Sequence, residues 1–144
     1  MKGLILSLLI IAGLASPALA EIKGCYERVY DAAHLKKHRE QVVTMMRLQI
    51  GLTTDIESDR ADSLWAKFRN GRVMATQPLE CSANQRCFVE EDGGSFHVDE
   101  TADGVKITNE GYIRFGDEDD SREVAEDAEH RVFLLKRKSS GACR

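Results

Sequence analysis

Two histidines four residues apart, His34 and His38, are the first residues in the chain whose spacing could support chemistry. On a helix they would face the same side, and two imidazoles at this spacing hold zinc in metalloproteases. That motif also needs a third ligand, and a glutamate directly after the first histidine, where this chain has Leu35. We therefore assign no metal ion or other cofactor to the chain and interpret the pair as a polar surface feature.

Two acidic segments, residues 55–59 and 117–121, begin with the alternating oxygen-bearing side chains of a calcium-binding loop. Such a loop also needs glycine at its sixth position and a bidentate glutamate at its twelfth. In the second segment these positions hold Arg122 and Ala128, and the first segment fails in the same way. The sequence therefore predicts solvated acidic loops rather than calcium sites.

We find no sequence motif that specifically indicates catalysis. Ser95 and His97 share one face of a predicted strand, but the chain has no nucleophile elbow and no identifiable acid to orient the histidine. Carboxylates are abundant near the surrounding turns, and nothing in the sequence singles one out for acid–base work. We assign no catalytic residue and favour a protein that is not an enzyme; a small periplasmic hydrolase or metal-dependent enzyme is the alternative.

The four cysteines, Cys25, Cys81, Cys87 and Cys143, predict two disulfide bonds formed in an oxidising compartment. A structural zinc site usually needs two close cysteine pairs, and here only the middle two are close. Because a short hairpin loop would bring these two together, we predict the pairs Cys81–Cys87 and Cys25–Cys143. The two other connectivities stay open.

The first 20 residues have the features of a cleavable export signal. Lys2 supplies its positive charge, residues 4–14 its apolar run, and residues 18–20 the small residues before a cut at Glu21. This apolar run is too short for a membrane span, which needs about 20 residues. The sequence predicts a bacterial periplasmic or secreted protein in which residues 21–144 form a single domain with no membrane span.

The charge of the chain argues against nucleic acid as a partner. The sequence holds 20 basic and 24 acidic residues and has a formal net charge of −4. The charge is uneven, because residues 117–129 contain eight carboxylates and one arginine, whereas residues 131–144 contain five basic residues and no acid. Such runs are typical of solvated loops and tails.

Apolar and polar side chains alternate along much of the chain, with glycine-rich turns about every 8–12 residues. This pattern predicts an all-β fold of about eight mostly antiparallel strands in a small meander barrel; a β-sandwich is the alternative. The predicted strands are residues 41–50, 62–69, 72–78, 86–91, 95–100, 105–108, 112–115 and 131–138.

Two segments allow the buried face to be assigned. In residues 41–50, alternation predicts these core residues: Val42, Thr44, Met46, Leu48 and Ile50. Asn70-Gly71 favours a two-residue type I′ turn that pairs Phe68 with Val73. With this register, the core face of the hairpin consists of Leu64, Ala66, Phe68, Val73 and Ala75.

Helical signals are few. Asp31 is a candidate N-cap for one or two helical turns over residues 31–37. Asp120, followed by Glu123, is a candidate cap for a short helix that ends at Ala128, although neighbouring carboxylates would repel one another along it.

The outward face of the Asn70-Gly71 hairpin is the surface whose composition best suggests binding. It places the single tryptophan beside three cations: Trp65, Lys67, Arg69 and Arg72. Tryptophan and arginine are enriched at protein interfaces. The alternative is a tryptophan that other parts of the chain cover.

We interpret the chain as an exported, non-catalytic binding or inhibitor-type module. Its partner would be an envelope or extracellular protein or an anionic envelope component, because the cations of the hairpin suit an anionic surface. The acidic segment 117–129 is an alternative contact, in that case for a basic partner.

Overall fold

The computed structural model describes residues 21–51 and 62–143. These residues form an almost entirely β structure, which confirms the predicted fold class. Helix α1 is Ala32–Lys37, and a 3₁₀ turn spans Ser140–Cys143. The strands are β1 (Gly24–Val29), β2 (Val43–Ile50), β3 (Ser63–Phe68), β4 (Val73–Ala75), β5 (Leu79–Cys81), β6 (Arg86–Val89), β7 (Gly94–Glu100), β8 (Gly104–Gly116), β9 (Ser121–Ala125) and β10 (Val132–Lys138).

All ten strands belong to one antiparallel sheet that curls into a half-barrel. The strand order is β4-β3-β2-β1-β10-β8-β7-β6-β5, and β9 pairs with β8 beside this path. Most neighbours follow one another in the chain, as in a meander, but β1 pairs with β10. The first and last strands therefore meet in the middle of the sheet. The edge strands β4 and β5 are consecutive, with three residues between them.

The inner face of the curled sheet carries the hydrophobic core. The rings of Phe68 on β3 and Phe115 on β8 meet edge to face, with centroids 5.8 Å apart, although these strands are not neighbours in the sheet. This contact crosses the interior and shows how far the sheet curls. The largest fully buried side chains are Tyr26, Phe68, Phe96, Phe115, Phe133, Met46, Leu48, Leu64, Ile107, Ile113, Leu135 and Val43.

A β-bulge in β2 changes the predicted core face of that strand. Met46, Leu48 and Ile50 are buried as predicted, but Val42 is exposed and Thr44 is only half-buried. The register with β3 shifts by one residue between Val43 and Met45, so Val43 points inward in place of its neighbours. The prediction from strict alternation was therefore wrong at the start of this strand.

The β3–β4 hairpin has a three-residue loop instead of the predicted type I′ turn. Ala66 pairs with Met74, the Phe68 N–H donates to the Arg72 carbonyl, and Gly71 has a φ of +83°. This one-residue change reverses the faces of β4, so Val73 points outward and Met74 is buried. The predicted core positions on β3 are confirmed, whereas Val73 and Ala75 were assigned wrongly.

The two predicted strands at 105–108 and 112–115 are one long strand, β8. Gly111 has a φ of +109°, and the residues expected to form a turn instead form an irregularity inside the strand. The first half of β8 pairs with β10 and the second half with β9. Asn109 joins the two partners, because its Nδ2 donates to the Val124 and His130 carbonyls at 3.0 and 3.2 Å.

Three strands, β1, β5 and β9, were not predicted. Strand β9 occupies the segment in which we considered a helix capped by Asp120, so that helix is absent. Only one carboxylate, Glu123, lies within β9, and the other acids of this segment fall before or after the strand, which avoids the repulsion that a helix would bring. The other helix is confirmed: Asp31 caps α1 by accepting a hydrogen bond from the His34 N–H at 2.7 Å.

Both predicted disulfide bonds are confirmed. Cys81 and Cys87 are directly opposite each other in β5 and β6. Cys25 at the start of β1 is bonded to Cys143 in the C-terminal 3₁₀ turn, and their Cα atoms are 5.8 Å apart. The second bond therefore fastens the two ends of the described chain together.

We expect the two disulfides to differ in their effect on stability. The Cys25–Cys143 bond closes a sequence separation of 118 residues and the Cys81–Cys87 bond one of 6. In the chain-entropy model these closures contribute about 5 and about 2 kcal/mol, respectively. Urea unfolding of a Cys25→Ala/Cys143→Ala variant should therefore show a larger loss than a Cys81→Ala/Cys87→Ala variant. Equal losses would show that loop entropy does not govern the stabilisation.

Candidate binding surface

Two of the four predicted binding residues lie on the outer face of the sheet with their side chains accessible. Trp65 is 38% exposed, and its Nε1 donates to Ser63 Oγ at 3.0 Å. The indole is therefore not covered by the described residues. Lys67, two positions later on β3, is also exposed. Alternation along the strand places both side chains on the same face, as predicted.

Arg69 belongs to the framework rather than to an open surface. Its Nε donates to the Gln41 carbonyl at 2.6 Å, and its Nη2 donates to the Leu35 and His38 carbonyls, both at 2.9 Å. These carbonyls lie at the end of α1 and in the loop that follows it. The guanidinium therefore caps the helix and attaches it to the β3–β4 hairpin.

Arg72 is also engaged within the protein. Its Nη1 donates to Asp120 Oδ1 at 3.1 Å, and a second hydrogen bond joins Nη2 to the other carboxylate oxygen. These bonds from Arg72 lower the pKa of Asp120. Because the Arg72 guanidinium is already paired with Asp120 in a bidentate arrangement, it is less available than Lys67 to bind a carboxylate of a partner.

An unpredicted row of side chains extends the surface of Trp65 and Lys67 across four strands. The register pairs Val29 with Met45, Met45 with Lys67, and Lys67 with Val73, from β1 to β4. Val29 is 64% and Val73 is 52% exposed. We call Trp65 together with this row the outer patch. It combines the exposed side chains of Val29, Trp65 and Val73 and the half-buried Met45 with a lysine.

Charges around the outer patch are mainly positive. The adjacent row pairs Lys136 with Glu27, Glu27 with Arg47, and Arg47 with Trp65. Arg47 neutralises Glu27 through hydrogen bonds of 2.6 and 2.8 Å. Within the described ranges, no carboxylate lies within ion-pair distance of Lys67. The surface therefore offers an unpaired cation beside apolar groups.

His34 in α1 and His38, the residue that caps the end of this helix, lie together, as their spacing predicted. The rings of His34 and His38 stack with centroids 4.2 Å apart. Each ring also has a separate partner: His34 Nε2 lies 2.9 Å from Gln41 Oε1, and His38 Nδ1 lies 2.8 Å from Glu129 Oε2. The first contact holds the helix to the loop before β2, and the second connects it to the β9–β10 turn.

A buried histidine strengthens that connection. His130 accepts a hydrogen bond from the Val42 N–H on its Nε2 at 3.0 Å, and its Nδ1 lies 2.8 Å from Asp127 Oδ1. Burial alone would raise the pKa of Asp127, but the hydrogen bonds from His130 and from the Glu129 amide lower it overall. Because a backbone amide donates to Nε2, that nitrogen carries no proton in this arrangement.

Ser95 and His97 lie on the outer face of β7 but interact with different carboxylates. Ser95 Oγ donates to Glu110 Oε2 at 3.0 Å, and Arg86 Nε donates to the same oxygen at 2.6 Å. His97 Nε2 lies 3.2 Å from Asp99 Oδ1. The serine hydroxyl is therefore oriented toward an acceptor, and the structure does not place it beside the histidine as in a nucleophile–base pair.

The acidic segments bring no metal site together in the part of the chain that the structure covers. Residues 55–59 lie outside the described residues. In the second segment, the Asp117 carboxylate accepts hydrogen bonds from the backbone amides of Asp119 and Asp120, which makes a local turn. Among the described residues, no three His, Cys, Asp or Glu side chains are arranged to hold a metal ion.

Comparisons of the chain with protein-family models, with curated proteins and with solved structures found no match. Over residues 21–51 and 62–143, no helix has the length and apolar character needed to cross a membrane. Geometry alone therefore identifies the outer patch as a candidate binding surface.

We expect Arg69→Ala to destabilise the protein by about 1–3 kcal/mol, because three carbonyl groups lose a charged donor. Arg69→Lys should recover little of this loss, since one ammonium cannot reproduce the planar fork. Lys67→Ala is the matched control on the same hairpin and should leave the thermal midpoint nearly unchanged. Calorimetry of the three variants tests this. Equal midpoints for Arg69→Ala and Lys67→Ala would contradict the capping role.

Asp127 should make the stability pH-dependent in acid. Its pKa is lowered in the folded protein, so the unfolded chain, with a pKa of about 3.9, binds the proton more readily. The stabilisation is therefore present above about pH 4 and is lost as the pH falls through the lower folded value. Urea unfolding of wild type and Asp127→Asn should give a stability difference that shrinks in this acid range. Glu118→Gln, at an exposed turn, is the control; a pH-independent difference for Asp127→Asn would refute the linkage.

Proposed function

We propose that the protein is a non-catalytic binding module that contacts another protein through the outer patch. The observation that carries the proposal is the row of Val29, Met45, Lys67 and Val73, with Trp65 beside it, across four adjacent strands. Scattered exposed apolar residues are ordinary, but several on neighbouring strands form a continuous surface. Their backbone is held by strand pairing, so little conformational entropy is lost when a partner covers them.

The partner that fits this surface has an acidic contact area around an apolar centre. Lys67 supplies the unpaired charge, and Trp65 supplies a large, stiff side chain of the kind that dominates binding energies. On β10, Leu134 is 56% exposed and extends the outward apolar surface of the sheet. An anionic envelope component would use the cations but gain less from the apolar groups.

We further propose that the protein acts outside the cytoplasm, in the periplasm or after secretion. The two disulfide bonds are compatible with that location, because such bonds persist in oxidising compartments. The predicted export signal, residues 1–20, lies outside the described residues. An exported, twice-bridged sheet is a stable platform for presenting a binding surface.

The proposal can be tested by capture of partners from an envelope extract on the immobilised, oxidised protein, with quantification by mass spectrometry. We expect Trp65→Ala to weaken capture of the specific partner by about thirtyfold, the loss typical of a central interface tryptophan. Lys67→Glu should weaken it as well, and added salt should partly restore the binding of this variant, because salt screens the repulsion between the glutamate and the acidic partner.

Phe88→Ala is the matched control, because Phe88 is an aromatic side chain on the outer face of β6 and is 46% exposed. It should capture the partner as wild type does. Equal recovery by wild type, Trp65→Ala and Lys67→Glu would exclude the outer patch. Binding to anionic vesicles or glycans with no protein recovered would exclude a protein partner.

A further inference from the structure

A cavity lies at one open end of the curled sheet. It has a volume of about 450 Å³ and is lined by the approach to β1, the end of β2 and the β5–β6 hairpin. Small-molecule sites in proteins typically measure about 300–1,000 Å³. The cavity is therefore large enough for a small organic ligand.

The floor of this cavity is an extension of the hydrophobic core. Ile22, Ile50 and Val98 line it, and all three are buried members of the core cluster. The Cys81–Cys87 disulfide adds a further apolar wall. A hydrocarbon group placed there would be removed from water on several sides, which is the source of most small-ligand affinity.

The rim carries negative charge. Asp62 Oδ1 accepts a hydrogen bond from the Gly51 N–H at 2.8 Å, which fixes this carboxyl at the cavity. Burial raises the pKa of Asp62, the Gly51 amide offsets part of the effect, and the nearby Glu21 raises it further. Lys23 lies 2.9 Å from Glu21, but among the described residues no Lys or Arg lines the cavity or forms an ion pair with Asp62.

We propose that this end of the sheet binds a small apolar amine, with its hydrocarbon part on the Ile22–Ile50–Val98 floor and its ammonium group donating to Asp62. The residues proposed to form the site all belong to the part of the chain that the structure describes. It is independent of the outer patch, which lies on the opposite face of the strands. The protein thus has a second recognition site, for a small molecule.

The test compares n-hexylamine with n-hexanol, which have the same hydrocarbon chain, by calorimetry on the full, oxidised protein. We expect the amine to bind about tenfold more tightly, because only the amine forms a charge-assisted hydrogen bond. Asp62→Asn should remove this preference and leave the hexanol affinity unchanged. The preference should also fall as acid protonates Asp62, while the amine itself stays charged.

Amide chemical shifts locate the site. Addition of hexylamine should shift the resonances of Gly51, Gln85 and Val98 and leave that of Trp65 unchanged. Trp65→Ala is the matched control and should keep the full amine preference, and thermal unfolding of Asp62→Asn verifies that this variant is folded. Absence of amine binding to wild type, equal affinities for amine and alcohol, or a preference that survives in folded Asp62→Asn would each overturn the proposal.

Discussion

Antiparallel pairing between the first and last strands holds the two halves of the sheet together. On one side β1 begins the run β1-β2-β3-β4, and on the other β10 leads to β8, β7, β6 and β5. Within each half, the paired strands are close in sequence and can form early. The β1–β10 pairing instead closes a very long loop, which costs entropy that neither half recovers alone. The Cys25–Cys143 bond makes this closure permanent.

The sequence was sufficient to predict most of the strands, but not β1, β5 and β9 and not the geometry of the connections. Asn70-Gly71 and the segment 109–111 both contain the residues of a tight turn, and one forms a longer loop while the other forms an irregularity within β8. The outcome depends on the core. In the hairpin, the longer loop places Met74 inside, where its Cε approaches Gly116 so closely that a Cβ there would lie 2.7 Å away. Such a fit between distant residues leaves no local signal in the sequence.

The candidate surface was predictable to a similar extent. Alternation along β3 placed Trp65 and Lys67 on the outer face. The roles of Arg69 and Arg72 depend on partners far away in the chain, at the end of α1 and at Asp120, and a long flexible side chain can reach either solvent or such a partner. Val29 was missed because β1 has no clear alternation, and Val73 because its face follows from the loop length. The cavity at Asp62 depends on the curl of the whole sheet.

The edge strands of the sheet are short, and this limits aggregation by strand addition. Unpaired strand edges are templates for the addition of further strands and hence for fibre growth. Here the two end strands of the sheet, β4 and β5, are only three residues long and are joined to each other by a short link that contains Pro78. Strand β9, which pairs with β8 beside the main path, has five residues. An apolar patch therefore coexists with edges too short to propagate a sheet. Such a protein can bind a partner through its outer face and still resist amyloid-like assembly, because recognition and strand addition use different parts of the sheet.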